Sequence, residues 1–168
     1  RHRRGLLLDA PLWENAMLGH QTMEPFARGP LLDRRRSREA TTRIVKDFDV
    51  RTPSIDTSAR ALSGGNQQKL VIGREMAASP RLLIAAHPTR GIDVGAQAAV
   101  WEELRTARRN GLALLLVSAD LEELLGLADR LVVMLRGRVV AELDPGTTTP
   151  RQLGGYMTGA EDVTGDEE

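Results

Sequence analysis

The sequence contains no cysteine among its 168 residues, which excludes a disulfide framework and a thiolate metal site. Its 23 acidic residues balance its 23 basic residues, so no overall field draws the chain toward nucleic acid or an anionic membrane. No apolar run has the length that a bilayer-spanning helix needs, and no signal peptide is recognisable. Lysine is nearly absent as well, since only Lys46 and Lys69 are lysine, and this bias indicates a GC-rich genome rather than a binding function.

The composition that remains is that of a folded domain. Hydrophobic residues make up 41% of the chain and charged residues 27%, which is typical of a globular protein with a core. The chain opens on R-H-R-R-G without a methionine, as a segment cut from a longer protein would. Residues 159–168 are acidic and carry no apolar anchor, and we predict that they are disordered.

The first half of the chain predicts helices and loops without strands. Proline near a first turn indicates a short helix starting at Pro11, and Asp33 is a suitable N-cap for a helix over residues 34–47. Ala40, Ile44 and Val45 are spaced to share one face of that helix. A further helix is expected over residues 66–77. We therefore predict a helical subdomain over residues 1–78 that ends in this helix.

The second half alternates apolar runs with helical segments. Residues 82–86, 112–117 and 131–135 predict strands, the first of them buried on both faces, and the third continues into a hairpin over residues 138–143. Helices are expected over residues 94–109, 121–128 and 150–157, with Asp120 and Glu123 as a capping pair. This order predicts an α/β fold with a mostly parallel sheet flanked by helices over residues 79–158.

The octet from Leu62 to Lys69, L-S-G-G-N-Q-Q-K, describes a loop that opens into the N-terminus of a helix. Backbone N–H groups there have no partner within the helix, and glycines let an anion approach the backbone closely. Ser63 adds a hydroxyl that can donate to an anion or cap the helix. For S-G-G alone an ordinary turn before a helix would be the better interpretation. We refer to residues 62–69 as the signature octet.

The octet, followed by an apolar strand, P-T-R-G-I-D-V-G-A and a second strand that ends in V-S-A-D, resembles the ATP-binding cassette (ABC) ATPases. More narrowly, the R-H-R-R-G-L-L-L-D and L-W-E-N segments resemble the second cassette of the double-cassette ATPases of simple-sugar and nucleoside importers. The resemblance covers residues 1–156. It implies a partial P-loop NTPase fold of the cassette type.

The resemblance also implies the roles of individual residues. In this family two cassettes meet head to tail, and each site pairs the phosphate loop of one with the signature of the other. Ser63, Gly64, Gly65 and Asn66 would then touch the terminal phosphate of ATP bound by the partner, with Gln67 close by. Asp93 would take the D-loop place and reach across the interface, or it would cap the helix that follows; both can hold.

Several catalytic positions of the family are empty in this chain. No Gly-Lys-Ser/Thr occurs anywhere, so the chain has no phosphate loop. Ala86 and His87 stand where the family has the Mg²⁺-supporting aspartate and the water-polarising glutamate, and Ala119 replaces the switch histidine. His87 could act as an imidazole base in principle, but without metal or phosphate loop a packed or solvent-facing histidine is the better interpretation. We do not expect this chain to hydrolyse ATP on its own.

The resemblance therefore implies an ATP-binding subunit of an importer for a simple sugar or nucleoside. ATP would be shared with a second ABC cassette that holds Mg²⁺, and transmembrane permease subunits would place the protein at the cytoplasmic face of the membrane. No nucleic-acid partner is expected, because the arginine clusters lack interleaved aromatics. The alternatives are a docking module that touches no nucleotide and a non-transport relative in DNA repair or on ribosomes. Arg90-Gly91-Ile92-Asp93 argues against the latter.

In the resembled fold, the strand that leads to the phosphate loop lies between the strands predicted over residues 112–117 and 131–135. No such strand precedes the octet here, so backbone groups and apolar faces would be left open. We expect the isolated polypeptide to be marginally stable or prone to aggregation, unless the strands pair differently or a partner covers the gap.

Overall fold

The computed structural model describes residues 5–29 and 31–160. They form two units: the first runs to Leu83 and includes Thr89–Ala113, and the second combines Ile84–Pro88 with the residues from Leu114 onward. These two units are defined by which residues pack together. The boundary predicted at residue 78 instead separates the helical part of the sequence from the part with strands, and it stays a prediction. Residues 1–4 and most of the predicted acidic tail, 161–168, lie outside the described residues.

The first unit is mainly helical, as the sequence predicts. The helices α1, α2 and α4 have the expected positions, and α3 begins two residues earlier than predicted. A small antiparallel hairpin was not expected, because two-residue strands are too short to show an alternating pattern. The elements are α1 (Leu12–Ala16), β1 (Ala27–Arg28), β2 (Leu31–Leu32), α2 (Arg34–Asp47), a 3₁₀ turn (Ala59–Ala61), α3 (Gly64–Ala77) and α4 (Val94–Arg109).

The core of this unit is built where α1, α2 and α3 pack together. Asp33 starts α2 as predicted, because its side chain accepts a hydrogen bond from the backbone N–H of Arg36 at 2.9 Å. Ala40 and Ile44 are buried, in agreement with the predicted apolar face. The cluster of buried apolar residues comprises Leu6, Leu12, Ala16, Ile44, Val50, Ala59, Leu62 and Leu70.

Two buried polar residues tie the N-terminal segment to α1 and α3. The Asn15 side chain accepts from the N–H of Leu7 at 2.8 Å and donates to the Leu7 carbonyl at 2.9 Å. Arg74 of α3 donates to the carbonyl oxygens of Gly5, at 2.9 Å, and of Asn15, at 3.3 Å. It also forms an ion pair with Glu75 at 2.8 Å. These bonds satisfy groups that burial would otherwise leave unpaired, and they hold α3 in place beside α1.

The second unit carries most of the sheet structure. Its elements are the larger parts of β3 (Leu82–Ala86) and β4 (Ala113–Val117), together with α5 (Leu121–Leu127), β5 (Leu131–Leu135), β6 (Arg138–Leu143) and α6 (Pro150–Thr158). The strands β3 and β4 pair with each other. Ala113 N donates to Arg81 O at 3.1 Å and His87 N to Val117 O at 2.8 Å. Both strands advance in the same direction between these bonds, so the pair is parallel, as predicted.

β5 and β6 form the predicted antiparallel hairpin. Arg136 and Gly137 at its tip both have positive φ, 50° and 80°, which suits the twist of a two-residue hairpin loop. One face of the hairpin packs against α5 and α6 through Leu131, Val133 and Leu153. α6 begins with a capping box between Thr149 and Gln152.

The expectation that the 82–86 strand is buried on both faces was wrong. Leu82 is 54% exposed and Ile84 63%, and only Ala85 of β3 is buried. The reason is that β3 has β4 as its one strand neighbour among the described residues, and β4 in turn exposes Leu115 and Val117. Within the described chain β4 and β5 lie in separate two-stranded sheets, which agrees with the predicted gap between them. The marginal stability inferred from that gap stays a prediction.

Gly154 offers a direct test of helix energetics in the second unit. It lies inside α6, and a Cβ added there would meet Leu121 Cδ1 at 3.8 Å, an ordinary van der Waals contact. Gly154→Ala is therefore expected to raise the free energy of unfolding by about 0.5–1 kcal/mol, because alanine loses less backbone entropy than glycine. Chemical denaturation of the two proteins measures this difference. An unchanged or lower midpoint for the alanine variant would contradict it.

Candidate anion-binding site

Ser63 stands where the 3₁₀ turn leads into α3. Its backbone is extended (φ −62°, ψ 158°), and its Oγ accepts a hydrogen bond from the N–H of Asn66 at 3.4 Å. The first intrahelical bond of α3 runs from Gln67 N to Ser63 O at 2.9 Å. The N–H groups of the two glycines precede that bond, so the helix supplies no acceptor for them. This end of α3 therefore presents N–H donors and the positive end of the helix dipole to an anion.

The Asn66 side chain is held between two groups. Its Oδ1 accepts a hydrogen bond from the backbone N–H of Arg51 at 2.8 Å, and its Nδ2 donates to Ser63 Oγ at 3.0 Å. The first contact connects α3 to the segment that follows α2, which lies 15 residues earlier in the chain. Asn66 thus links the serine of the octet to a distant part of the first unit.

Gln67 is buried, and its side chain binds the backbone of the turn that precedes α3. Its side chain is 5% exposed, and its Nε2 donates to the carbonyl oxygens of Ala59 at 3.0 Å and of Leu62 at 3.3 Å. Its Oε1 is buried and has no hydrogen-bond partner among the described residues. Gln67 thus lies about one helical turn after Ser63, with its amide directed at the carbonyls of the turn that precedes α3.

Gly65 lies where α3 meets α4. A Cβ built on Gly65 would overlap the Cβ of Ala96, so glycine is needed for this close approach of the two helices. Asp93 caps α4, and its Oδ1 accepts from the N–H of this same Ala96 at 2.8 Å. The capping role that the sequence predicts for Asp93 is thus observed. Its carboxylate orients the helix end that Gly65 packs against.

Lys69 provides a second attachment between α3 and the segment after α2. Its Nζ lies 3.1 Å from the backbone oxygen of Asp49 and 3.0 Å from Asp49 Oδ2. Asp49 has a φ of 45°, in the left-handed region that aspartate tolerates better than most residues. The hydrogen bond and the charge of Lys69 hold the pKa of Asp49 below its ordinary value. Lys69 and Asn66 lie about one helical turn apart, and together they anchor the octet at two points.

The three positions that the resemblance marks as degenerate belong to the second unit. Ala86 and Ala119 are exposed, and their methyl groups offer no donor or acceptor. His87 is also exposed and has a φ of 49°, with its backbone N–H bonded to β4. The described residues contain no group of three or more His, Asp or Glu side chains placed to hold a metal ion.

Three contributors to the site were missed by sequence reasoning. Arg51 takes part through its backbone N–H, Ala96 through the absence of a larger side chain, and Asp49 through a contact 20 residues away in the chain. The contacts of Arg51 and Asp49 have no local sequence signal. The one hint was the glycine at position 65, because a helical glycine often marks a close packing contact.

Known proteins resemble this chain along most of its length, although no family model matches it. The chain is 45% identical over 160 residues to the guanosine import ATP-binding protein NupO of Bacillus subtilis. The matched region is 95% of this chain and 31% of that protein. It is 43% identical over 143 residues to the ribose import ATP-binding protein RbsA 1 of Streptomyces avermitilis, covering 85% and 27%. The nucleoside import ATP-binding protein NupA of Lactococcus lactis is 40% identical over 159 residues, covering 95% and 31%. The chain thus spans about a third of the length of these relatives.

Solved structures show the same fold. The dimeric ATP-binding cassette MJ0796 bound to ADP and Pi matches with a TM-score of 0.67 at 20% identity, over 83% of this chain and 59% of that one. A nucleotide-free ATP-binding cassette from an ABC transporter matches with a TM-score of 0.68 at 20% identity, over 90% and 60%. At 20% identity, these structural matches show that the proteins share a fold and nothing further.

The fold is that of an ATP-binding cassette. The chain belongs to the ABC ATPase family, and the relatives that it resembles are ATP-binding proteins of sugar and nucleoside importers. The predicted family and the predicted fold class are therefore confirmed. Among the described residues, no helix has both the length and the apolar character needed to cross a membrane.

Proposed function

We propose that this chain contributes Ser63, Gly64 and Gly65 to ATP bound mainly by a second cassette, within an importer of a simple sugar or nucleoside. The observation that carries this proposal is the start of α3, where the hydroxyl of the exposed Ser63 lies beside the N–H groups of the half-buried Gly64 and the buried Gly65, for which the helix supplies no acceptor. A phosphate oxygen is the anion that such an end accommodates well, because donors and dipole act together. The names of the relatives support the importer context.

The rest of the nucleotide site is assigned to the partner. This chain contains no Gly-Lys-Ser/Thr, so its residues offer no lysine cradle for the phosphates. The residue at the metal position does not fit Mg²⁺ either, because Ala86 places a methyl group where the resemblance requires a carboxylate. Ser63, Gly64 and Gly65 fit phosphate, whereas the metal position does not fit Mg²⁺. Hence the metal and the reacting water belong to the second cassette, and this chain supplies the phosphate contacts alone.

Asp93 completes the proposed interface. Its carboxylate caps α4, with Ala96 N–H on Oδ1, and the residue remains exposed. An exposed carboxylate beside the octet is available to the partner cassette through its other oxygen, so capping and contact are compatible. Permease subunits would hold the two cassettes at the cytoplasmic face of the membrane.

The proposal is tested by ATP-dependent association. The chain is mixed with a fluorescently labelled catalytic cassette whose water-polarising glutamate is replaced by glutamine, so that bound ATP persists. We expect binding with Mg²⁺ and ATP to be at least about tenfold tighter than without nucleotide, since a contact with a charged phosphate is worth about 1.5–3 kcal/mol. Fluorescence anisotropy measures both dissociation constants.

The same titration separates the proposal from its rival. The empty positions Ala86, His87 and Ala119 favour a docking module that touches no nucleotide, and such a module would bind equally with and without ATP. Hydrolysis of ATP by this chain alone, at a rate proportional to its own concentration, would contradict both.

A further inference from the structure

The Ser63 hydroxyl is already occupied as an acceptor. Its Oγ receives the backbone N–H of Asn66 at 3.4 Å and the side-chain Nδ2 of Asn66 at 3.0 Å. A hydroxyl has two acceptor lone pairs and one proton to donate. With both lone pairs engaged, the remaining capacity of this group is its O–H proton. Ser63 is exposed, so that proton is available to a ligand rather than to the protein interior.

The direction of the bond between Asn66 and Ser63 is set from a third place. Asn66 Oδ1 accepts from the backbone N–H of Arg51 at 2.8 Å, and a backbone N–H can only donate. The oxygen of the side-chain amide must therefore face Arg51, which turns the NH₂ group toward Ser63. The asparagine donates and the serine accepts, and rotation of the amide by 180° would lose the bond to Arg51.

We infer that Asn66 is a positioning residue that makes Ser63 a dedicated donor to the phosphate, and this inference rests on the proposed function. Without Asn66, the serine hydroxyl would populate several rotamers and could either donate or accept a hydrogen bond. Asn66 and Arg51 remove those alternatives before the nucleotide arrives. The role assigned to Asn66 is thus exerted through Ser63, whereas the resemblance alone would have it touch the phosphate directly.

A double-mutant cycle tests this mechanism in the association assay with the ATP-loaded catalytic cassette. Ser63→Ala is expected to weaken ATP-dependent binding about ten- to a hundredfold, the range for a hydrogen bond to a charged group. Asn66→Leu is expected to weaken it about three- to tenfold, because Ser63 keeps its hydroxyl but loses its orientation. In the Ser63→Ala background, Asn66→Leu should change the dissociation constant less than about twofold.

The matched control is Gln68→Leu, the same loss of an amide two residues further along α3. Gln68 is half-buried in this helix, and we expect its replacement to leave ATP-dependent binding unchanged. Circular dichroism melts of all variants show whether α3 remains folded. Suppose that Asn66→Leu lowers the melting temperature and also weakens binding in the Ser63→Ala background. The substitution would then act on the whole helix, and the inference would be wrong.

The outcomes distinguish this inference from the proposal on which it rests. If Asn66→Leu costs as much without the serine hydroxyl as with it, asparagine acts on the nucleotide directly and the positioning role is refuted. If the unmodified chain shows no ATP-dependent association, the proposed function itself fails and the inference fails with it. A loss confined to the serine-containing background supports both.

Discussion

Replacing Ser63 by arginine is expected to abolish the ATP-dependent part of the binding to a catalytic cassette. The substitution removes the hydroxyl that Asn66 orients and puts a long side chain at the mouth of α3. Loss of one hydrogen bond to a charged group costs about 1.5–3 kcal/mol, and steric exclusion adds to it. We expect the dissociation constant with ATP to rise at least about tenfold, to the value measured without nucleotide. Fluorescence anisotropy with and without ATP measures both values.

The control for this experiment separates helix capping from anion binding. Ser63 also caps α3, and loss of an N-cap costs about 1 kcal/mol of stability. Ser63→Asp keeps a good N-cap but places a negative charge beside the phosphate. It should therefore retain the melting temperature of the natural chain while losing ATP-dependent binding as fully as Ser63→Arg. Binding that survives in either variant would favour the nucleotide-independent docking module.

Gly65→Ala is expected to destabilise the first unit and to disturb the signature octet at the same time. The added methyl group would overlap the Cβ of Ala96, so α3 and α4 would have to move apart. Overpacking of this kind costs about 1–3 kcal/mol. Because the displaced helix end carries the N–H groups that we propose to contact the phosphate, ATP-dependent binding should fall along with stability. Chemical denaturation measures the first effect and anisotropy the second.

A second substitution tests the cause. Ala96→Gly removes the methyl group on the other side of the contact, and by itself it should cost about 0.5–1 kcal/mol through helix propensity. Combined with Gly65→Ala it should restore most of the lost stability and binding, since residues in direct contact couple. Gly154→Ala is the matched control, with the same substitution inside a helix where space exists and the opposite sign of effect. A double variant as weak as Gly65→Ala alone would show that the overlap is not the cause.

Local patterns accounted for most of the helices and strands. The cap at Asp33, the apolar spacing in α2 and the hairpin of β5 and β6 each act over a few residues, and the structure has them where the sequence predicts them. The hairpin β1–β2 was missed because its strands have two residues each. Burial of β3 was misjudged for a different reason. An apolar run indicates that a strand prefers to be covered, but whether a neighbour covers it depends on the remainder of the sheet.

For the site, the sequence determined which chemistry is present: a serine and two glycines at a helix start, and alanines at the two places where the resemblance implies a metal ligand and a switch residue. These follow from residue identity, because side-chain type decides what a group can donate or accept. Tertiary structure alone decided how the octet is held. The bonds from Asn66 to Arg51 and from Lys69 to Asp49, and the contact of Gly65 with Ala96, join residues 15 to 31 positions apart. Such contacts depend on how α2, α3 and α4 pack, and packing is a property of the folded chain rather than of any short segment.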